Sequence, residues 1–182
     1  MKIVTTDIEG LLILEPSVFG DSRGYFMEFW NKNVLKENGI DFTPVQFNES
    51  GSCYGVIRGL HYQLNPYAQA KLVRVVSGEV LDLAVDLRKN SPTFGKYYSV
   101  RLSAENKKQF LIPKGFAHGF SVLSDFAIFS YMCDSYYNQA SERGISLSDK
   151  FLNIDWLIPE DKRIISPKDL NHPDFHNAEK NF

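Results

Sequence analysis

Hydrophobic and polar positions alternate with period two over much of the chain, the signature of half-buried strands. From Lys71 to Arg88, Val73, Val75, Leu81, Leu83, Val85 and Leu87 share one parity. Arg74, Asp82, Asp86 and Arg88 take the other, with Glu79 at the turn. Ser77-Gly78 divides this run, which predicts a β-hairpin with Gly78 supplying a positive φ. A second pair, Phe116–Leu123 and Phe126–Met132, meets at Ser124-Asp125, and shorter strand candidates are Gly10–Glu15, Tyr54–Leu64 and Tyr97–Ser103. Helix signals are few. Asn31–Asn38 closed by Gly39 fits one short helix. Ser166-Pro167-Lys168-Asp169 starts another, with Ser as N-cap, Pro at the first helical position and a carboxylate three residues after the cap. Many short strands with closely spaced turns predict an all-β sandwich or jelly roll with a few short helices. No repeat or Pro/Gly-rich linker divides the 182 residues, so a single domain is expected over 1–182. The segment from about 140 to 182 is less patterned and is expected to be partly helical and irregular.

Composition narrows the function class. Aromatic residues reach 14%, which supports pleated, half-buried surfaces. A formal net charge of −2 leaves no electrostatic footprint for nucleic acid. No apolar run approaches the roughly 20 residues of a membrane-spanning helix, and MKIVTTDIEG turns acidic before any signal-like stretch develops. Cys53 and Cys133 are too few for a disulfide scaffold. A cytoplasmic domain is expected.

Three residues stand out against the strand pattern. Lys71 shares parity with Val73 and Val75 and so points inward, where it either snorkels to water at the strand's mouth or aims a cation at an anion or oxyanion. Tyr131 shares parity with Ala127 and Phe129, as a core aromatic or as an inward phenol able to act as a general acid. His61, in Arg58-Gly59-Leu60-His61-Tyr62-Gln63, reads as a hydrogen-bonded strand residue unless a carboxylate orients its second nitrogen. Asp169 is one candidate for that carboxylate, although position alone explains it as part of the helix start.

Pro113-Lys114-Gly115-Phe116-Ala117-His118 has the P-x-G-x-x-H shape of a cupin barrel's second motif. Metal-binding cupins also carry an H-x-H cluster, and here the position two after His61 is Gln63. A metal-free pocket is therefore expected. No G-x-G-x-x-G, Walker-type loop or G-x-S-x-G elbow occurs. A pocket with inward Lys, Tyr and His suits removal and return of a proton next to a carbonyl.

Taken together, the motifs resemble the dTDP-4-dehydrorhamnose 3,5-epimerases, a metal-free branch of the cupins. The resemblance runs from about Ile8 to Asp169. It includes Phe19–Phe26, Gln46–Ser50, Gly55–Gln63, Gln69–Val73, Val85–Arg88 with Ser91–Gly95, Ile112–Phe120 and Ser166–Asp169. It implies a cupin-type jelly roll that needs no cofactor. The implied reaction inverts C3 and C5 of dTDP-4-dehydro-6-deoxy-D-glucose, giving dTDP-4-dehydro-L-rhamnose for dTDP-L-rhamnose biosynthesis.

By this resemblance His61 is the base, Asp169 its carboxylate partner, Tyr131 the acid on the opposite face of the sugar, and Lys71 the cation on the C4 enolate oxygen. Arg23, Arg58, His118 and Lys168 match positions that hold the diphosphate or sugar. Glu28, Gln46, Asn48 and Glu142 match further nucleotide or sugar contacts, and Tyr137 matches the ring stacked on thymine. The resemblance also implies a homodimer with exchanged N-terminal strands, so that Arg23 and Glu28 serve the neighbour's pocket. One geometric tension accompanies it. Strict alternation puts Arg58 and His61 on opposite faces, and a bulge at Gly59 would re-aim the strand. The chain departs from the family's pattern at Ile145–Asp149, where a Trp is common, and at Met132-Cys133-Asp134, where basic residues are common. A mono-epimerase of a related sugar and a non-catalytic sugar-nucleotide binder share most of these motifs.

Overall fold

The computed structural model describes all residues from Met1 to Phe182. The chain opens with β1 (Lys2–Thr5), β2 (Leu12–Glu15), β3 (Val18–Asp21), β4 (Gly24–Met27) and helix α1 (Lys32–Glu37). The central run is β5 (Gln46–Cys53), β6 (Val56–Gln63), β7 (Lys71–Ser77), β8 (Glu79–Asp86), β9 (Tyr97–Ser103), β10 (Gln109–Ile112), β11 (Phe116–Val122) and β12 (Phe126–Cys133). Two short strands follow, β13 (Glu142–Gly144) and β14 (Ile164–Ile165), and then helix α2 (Pro167–Leu170). One sheet runs β1-β2-β10-β7-β12-β5, and the facing sheet runs β13-β6-β11-β8-β9, with β14 parallel to β6. This is the cupin-type jelly roll. No helix is long and apolar enough to cross a membrane.

Apolar surface is buried in three places. Between the sheets lie Val73, Val75, Ala84, Phe110, Phe120 and Phe129, among others. The outer face of the first sheet is covered by α1, whose Leu35 packs on Leu14, Leu72 and Met132. The outer face of the second sheet is covered by the C-terminal segment, where Leu147, Trp156 and Phe175 pack on Leu60, Leu83 and Val85. Both helices start as expected. Asn31 Oδ1 accepts from the Asn33 and Val34 amides, and Ser166 Oγ accepts from the Asp169 amide at 3.1 Å.

The expected hairpin at Ser77-Gly78 is not formed. β7 and β8 lie in different sheets, and Gly78, at φ +78°, carries the chain around a corner between them. The same correction applies at Ser124-Asp125, where the chain passes from β11 to β12 across the sandwich. The two corners brace each other: the Glu79 amide donates to Ser124 Oγ at 2.9 Å and the Leu123 amide to the Glu79 carbonyl at 3.0 Å. A corner between facing sheets reverses which parity looks inward. Val73 and Val75 of β7 face the interior, but in β8 the inward residues are Val80, Asp82 and Ala84. Leu83 and Val85 point the other way, under the C-terminal cover. Asp82, expected on a solvated face, is therefore wholly buried.

Asp86 closes the far end of β8. Its carboxylate accepts from Arg88 Nη2 at 2.7 Å, Ser91 Oγ at 2.6 Å and Thr93 Oγ1 at 2.7 Å. Burial pushes the Asp86 pKa up, but the Arg88, Ser91 and Thr93 donors outweigh it and hold the carboxyl below its ordinary value. A folded-state pKa below the unfolded one contributes stability above the unfolded carboxylate range, and that contribution is lost as pH falls through the folded pKa. Asp86→Asn should be less stable than the parent at pH 7 by roughly 1–3 kcal/mol. Urea unfolding at a series of pH values should show the gap closing on acidification below about pH 4. A gap independent of pH would remove the carboxylate from this role.

Candidate active site

The site is built on an irregularity in β6. Across the β6–β11 ladder His61 pairs with His118 and Arg58 with Phe120, so three steps along β6 match two along β11. This is the bulge expected at Gly59, and it inverts the alternation. Ile57, Leu60 and Tyr62 point to the outer core, while Arg58 and His61 both line one cavity of about 500 Å³ between the sheets. Gly59 is required there: its φ is +148°, and a Cβ would sit 2.7 Å from Gly119 Cα.

His61 is oriented from outside the barrel. Its Nε2 lies 2.8 Å from Asp169 Oδ1, and Asp169 Oδ2 accepts the Gly59 amide at 3.4 Å. The cap at Ser166 fixes the start of α2, and the Asp169 side chain turns from it into the barrel wall. Burial raises the Asp169 pKa, but the bonds from His61, Gly59 and Ser166 prevail and hold it below the ordinary carboxylate value. An ionised Asp169 accepts the Nε2–H of a neutral His61 and leaves the Nδ1 lone pair free to take a proton.

The facing sheet supplies the complementary groups. Lys71 at the start of β7 and Tyr131 near the end of β12 line the same cavity. Burial lowers the Lys71 pKa, and Cys133, Asp82 and Glu142 raise it in return. Burial also raises the Tyr131 pKa, helped by Cys133 and opposed by Arg58, so the phenol keeps its proton as a donor. Across from them His118 Nε2 lies 3.0 Å from Asp82 Oδ2, deep between the sheets. Burial holds His118 below the ordinary histidine value despite Asp82, and it raises the Asp82 pKa despite His118 and Lys71, so the pair shares its hydrogen bond with charge disfavoured on both sides.

A smaller recess adjoins the cavity and shares His61, Lys71 and Tyr131 with it. Gln46, Asn48, Tyr137 and Glu142 form its far wall. Gln46 Oε1 accepts the Tyr137 amide at 2.9 Å, and Gln46 Nε2 donates to Asn48 Oδ1 at 3.0 Å. Glu142 Oε2 accepts from the Tyr137 hydroxyl at 2.8 Å and Lys168 Nζ at 2.6 Å. Burial raises the Glu142 pKa, but Lys168 and Tyr137 outweigh it and lower it. The Tyr137 ring is exposed and available for stacking.

Eleven of the thirteen expected residues thus converge: His61, Lys71, Tyr131, Asp169, Arg58, His118 and Lys168 at the cavity, with Gln46, Asn48, Tyr137 and Glu142 at the recess. Arg23 and Glu28 do not join them within the chain. Arg23 pairs with Asp21 at 2.6 Å on the β3–β4 hairpin, and Glu28 accepts from Asn31 Nδ2 at 3.1 Å. Two further groups near the site, Asp82 and His172, are not marked by the sequence pattern. Asp82 was hidden by the reversed parity of β8. His172, whose ring lies 5.7 Å from that of His61, follows α2 with no local signal. The donors able to converge on a metal ion are His61, Asp169 and His172.

An imidazole base, an ammonium and a phenol around one cavity suit proton abstraction next to a carbonyl, with the developing oxyanion met by the cation. Comparison with known proteins agrees. Residues 5–177 match the family model for dTDP-4-dehydrorhamnose 3,5-epimerase. The chain is 55% identical over 180 residues to that enzyme from Shigella flexneri, covering 98% of each. It is similar to the crystal structure of the Elizabethkingia anophelis enzyme, with a TM-score of 0.93, 53% identity and 97% coverage of both chains. It is also similar to a dTDP-6-deoxy-D-glucose-3,5-epimerase from Legionella pneumophila in complex with dTDP-4-keto-L-rhamnose (TM-score 0.93, 48% identity, covering 98% of this chain and 94% of that one).

Gly59→Ala should unfold more easily by roughly 1–3 kcal/mol, the cost of forcing a side chain into such a backbone conformation. Denaturant midpoints measure it. A midpoint equal to the parent's would mean that the bulge does not need glycine.

Proposed function

The chain belongs to the dTDP-4-dehydrorhamnose 3,5-epimerase family, and we propose how its own residues divide the inversion of C3 and C5 of dTDP-4-dehydro-6-deoxy-D-glucose. The observation that carries this reading is one cavity walled by His61 on one sheet and by Lys71 and Tyr131 on the other. The C4 ketone acidifies the hydrogens at C3 and C5 alike, so one set of groups acts twice without a redox cofactor. Nδ1 of His61 takes the proton, and the C–H electron pair moves into the enolate. The C4 oxygen carries the resulting negative charge, which the Lys71 ammonium stabilises. Tyr131 returns a proton to the opposite face, which inverts the centre, and the proton on His61 passes to solvent as the phenol is regenerated. Asp169 keeps His61 in the productive tautomer throughout.

Arg58, His118 and Lys168 are assigned to the sugar and diphosphate. A guanidinium fork matches phosphate oxygens bidentately. Tyr137 is assigned to the thymine, with Gln46, Asn48 and Glu142 beside it. The β3–β4 hairpin supports a homodimer: Phe19 and Phe26 are two-thirds exposed on it, and Arg23 and Glu28 lie away from their own cavity. Exchange of N-terminal strands brings these two to the neighbour's substrate. The free thiols of Cys53 and Cys133 fit a reducing cytoplasm.

Turnover in D₂O, followed by NMR of the sugar, tests the assignment. Deuterium should enter at both C3 and C5. His61→Asn should slow both exchanges by about 100-fold or more, as loss of a general base does, while dTDP affinity holds. Deuterium at one carbon alone would make the chain a mono-epimerase with the same residues. Exchange surviving His61→Asn would remove His61 as the base.

A further inference from the structure

His172 is the only histidine with a buried ring nitrogen that lacks a hydrogen-bond partner. Its side chain is 13% exposed, and its Nε2 lies 3.7 Å from Asp169 Oδ1, too far for a hydrogen bond. The ring packs against Gly144, where any Cβ would collide with it, and meets the His61 ring edge to face. Leaving such a nitrogen unpaired in a buried position is costly. One donor atom each from His61, Asp169 and His172 lies within 4.8 Å of the other two.

We infer that His61, Asp169 and His172 form a binding site for a divalent transition-metal ion, zinc above all, and that its occupation silences the enzyme. The silencing, though not the binding, rests on His61 being the base. Two imidazoles and a carboxylate are a zinc ligand set, with bonds of about 2.0–2.2 Å. In a tetrahedron such bonds place neighbouring donors about 3.3 Å apart. The separations of 2.8 Å from Asp169 Oδ1 to His61 and 3.7 Å to His172 bracket that spacing. The His61 and His172 donors, within 4.8 Å of each other, would draw together by up to about 1.5 Å to complete the site. His61 and Asp169 also line the cavity, and three protein donors leave a fourth position for water. The carboxylate is already anchored through Oδ2 to the Gly59 amide, as ligating carboxylates commonly are.

The mode of inhibition follows from the nitrogen used. In the ion-free site Nε2–H of His61 donates to Asp169 and Nδ1 holds the free lone pair. An ion on Nε2 takes the place of that proton, and the neutral ring then carries its one proton on Nδ1. The nitrogen assigned as the base has no lone pair left to offer. No net proton is released from His61, because the tautomer changes and the charge does not.

The test uses chelator-treated full-length protein. Calorimetric titration with zinc should show one ion per chain with affinity on the order of micromolar or tighter, and cobalt(II) should give the visible absorption of a tetrahedral site. Zinc should abolish turnover, and EDTA should restore it. His172→Ala, checked for folding by its melting temperature, should weaken zinc binding and zinc inhibition in parallel. The loss should reach at least roughly 100-fold, the upper end of the effect of deleting even an outer-shell partner. Gly144→Ala, which displaces the His172 ring, should act in the same direction. Absence of zinc binding, or binding unchanged in His172→Ala, would overturn the site. Zinc held through His172 with turnover untouched would keep the site but overturn the silencing and, with it, the role of His61.

Discussion

The carboxylate of Asp169 is the contact on which the geometry of the site depends. It reaches His61, 108 residues earlier in the chain, and the amide of Gly59 at the centre of the bulge. The same side chain thus holds His61, the proposed base, and the backbone irregularity that turns it inward. Burying a carboxylate is costly unless it is paired, and here two of the bonds that offset the cost also fix His61 and the Gly59 bulge. The C-terminal segment delivers Asp169 by packing Trp156 and Phe175 over the outer face of the second sheet. Hydrophobic cover on the outside therefore sets hydrogen-bond geometry on the inside.

The interior of the sandwich is unusual in holding charge as well as aromatic surface. Phe120 and Phe129 stack at 4.2 Å between the sheets, and beside them lie Lys71, Asp82 and His118. Burial works against each charged form, and Asp82 and Lys71 offset one another only in part. In such a medium a cation acts on a developing oxyanion far more strongly than in water. The same low polarity favours the protonated form of Tyr131, which its proposed role as a donor needs. The phenol and the imidazole come from facing sheets, the placement that the proposed inversion at a planar enolate calls for.

Much of this was legible in the sequence, for physical reasons that differ by element. The caps at Asn31 and Ser166 are local hydrogen-bond chemistry and appear where the residues dictate. The inward parity of Lys71 and Tyr131 survived because each lies on a strand whose neighbours keep one face in the core. Asp82 was misplaced because alternation reports which face is apolar, and both faces of β8 are covered. The apolar parity of β8 turned out to be the outer one. A single glycine separates β7 from β8, and nothing local distinguishes a hairpin turn from a corner between sheets. The partnership of Asp169 with His61 lay in the family resemblance, since helix-start chemistry accounted for the same residue. His172 carried no signal, because its position depends on the space left by Gly144.

In the proposed mechanism Asp169 sets the tautomer of His61 and so chooses the nitrogen that takes the proton. Nitrogen-15 NMR of the imidazole rings measures this directly, with His61 assigned by its loss in His61→Asn. The neutral ring should carry its proton on Nε2 in the parent protein, with Nδ1 showing the shift of an unprotonated nitrogen. In Asp169→Asn that preference should weaken or reverse. A His61 protonated on Nδ1 in the parent, or a tautomer indifferent to Asp169, would contradict the account.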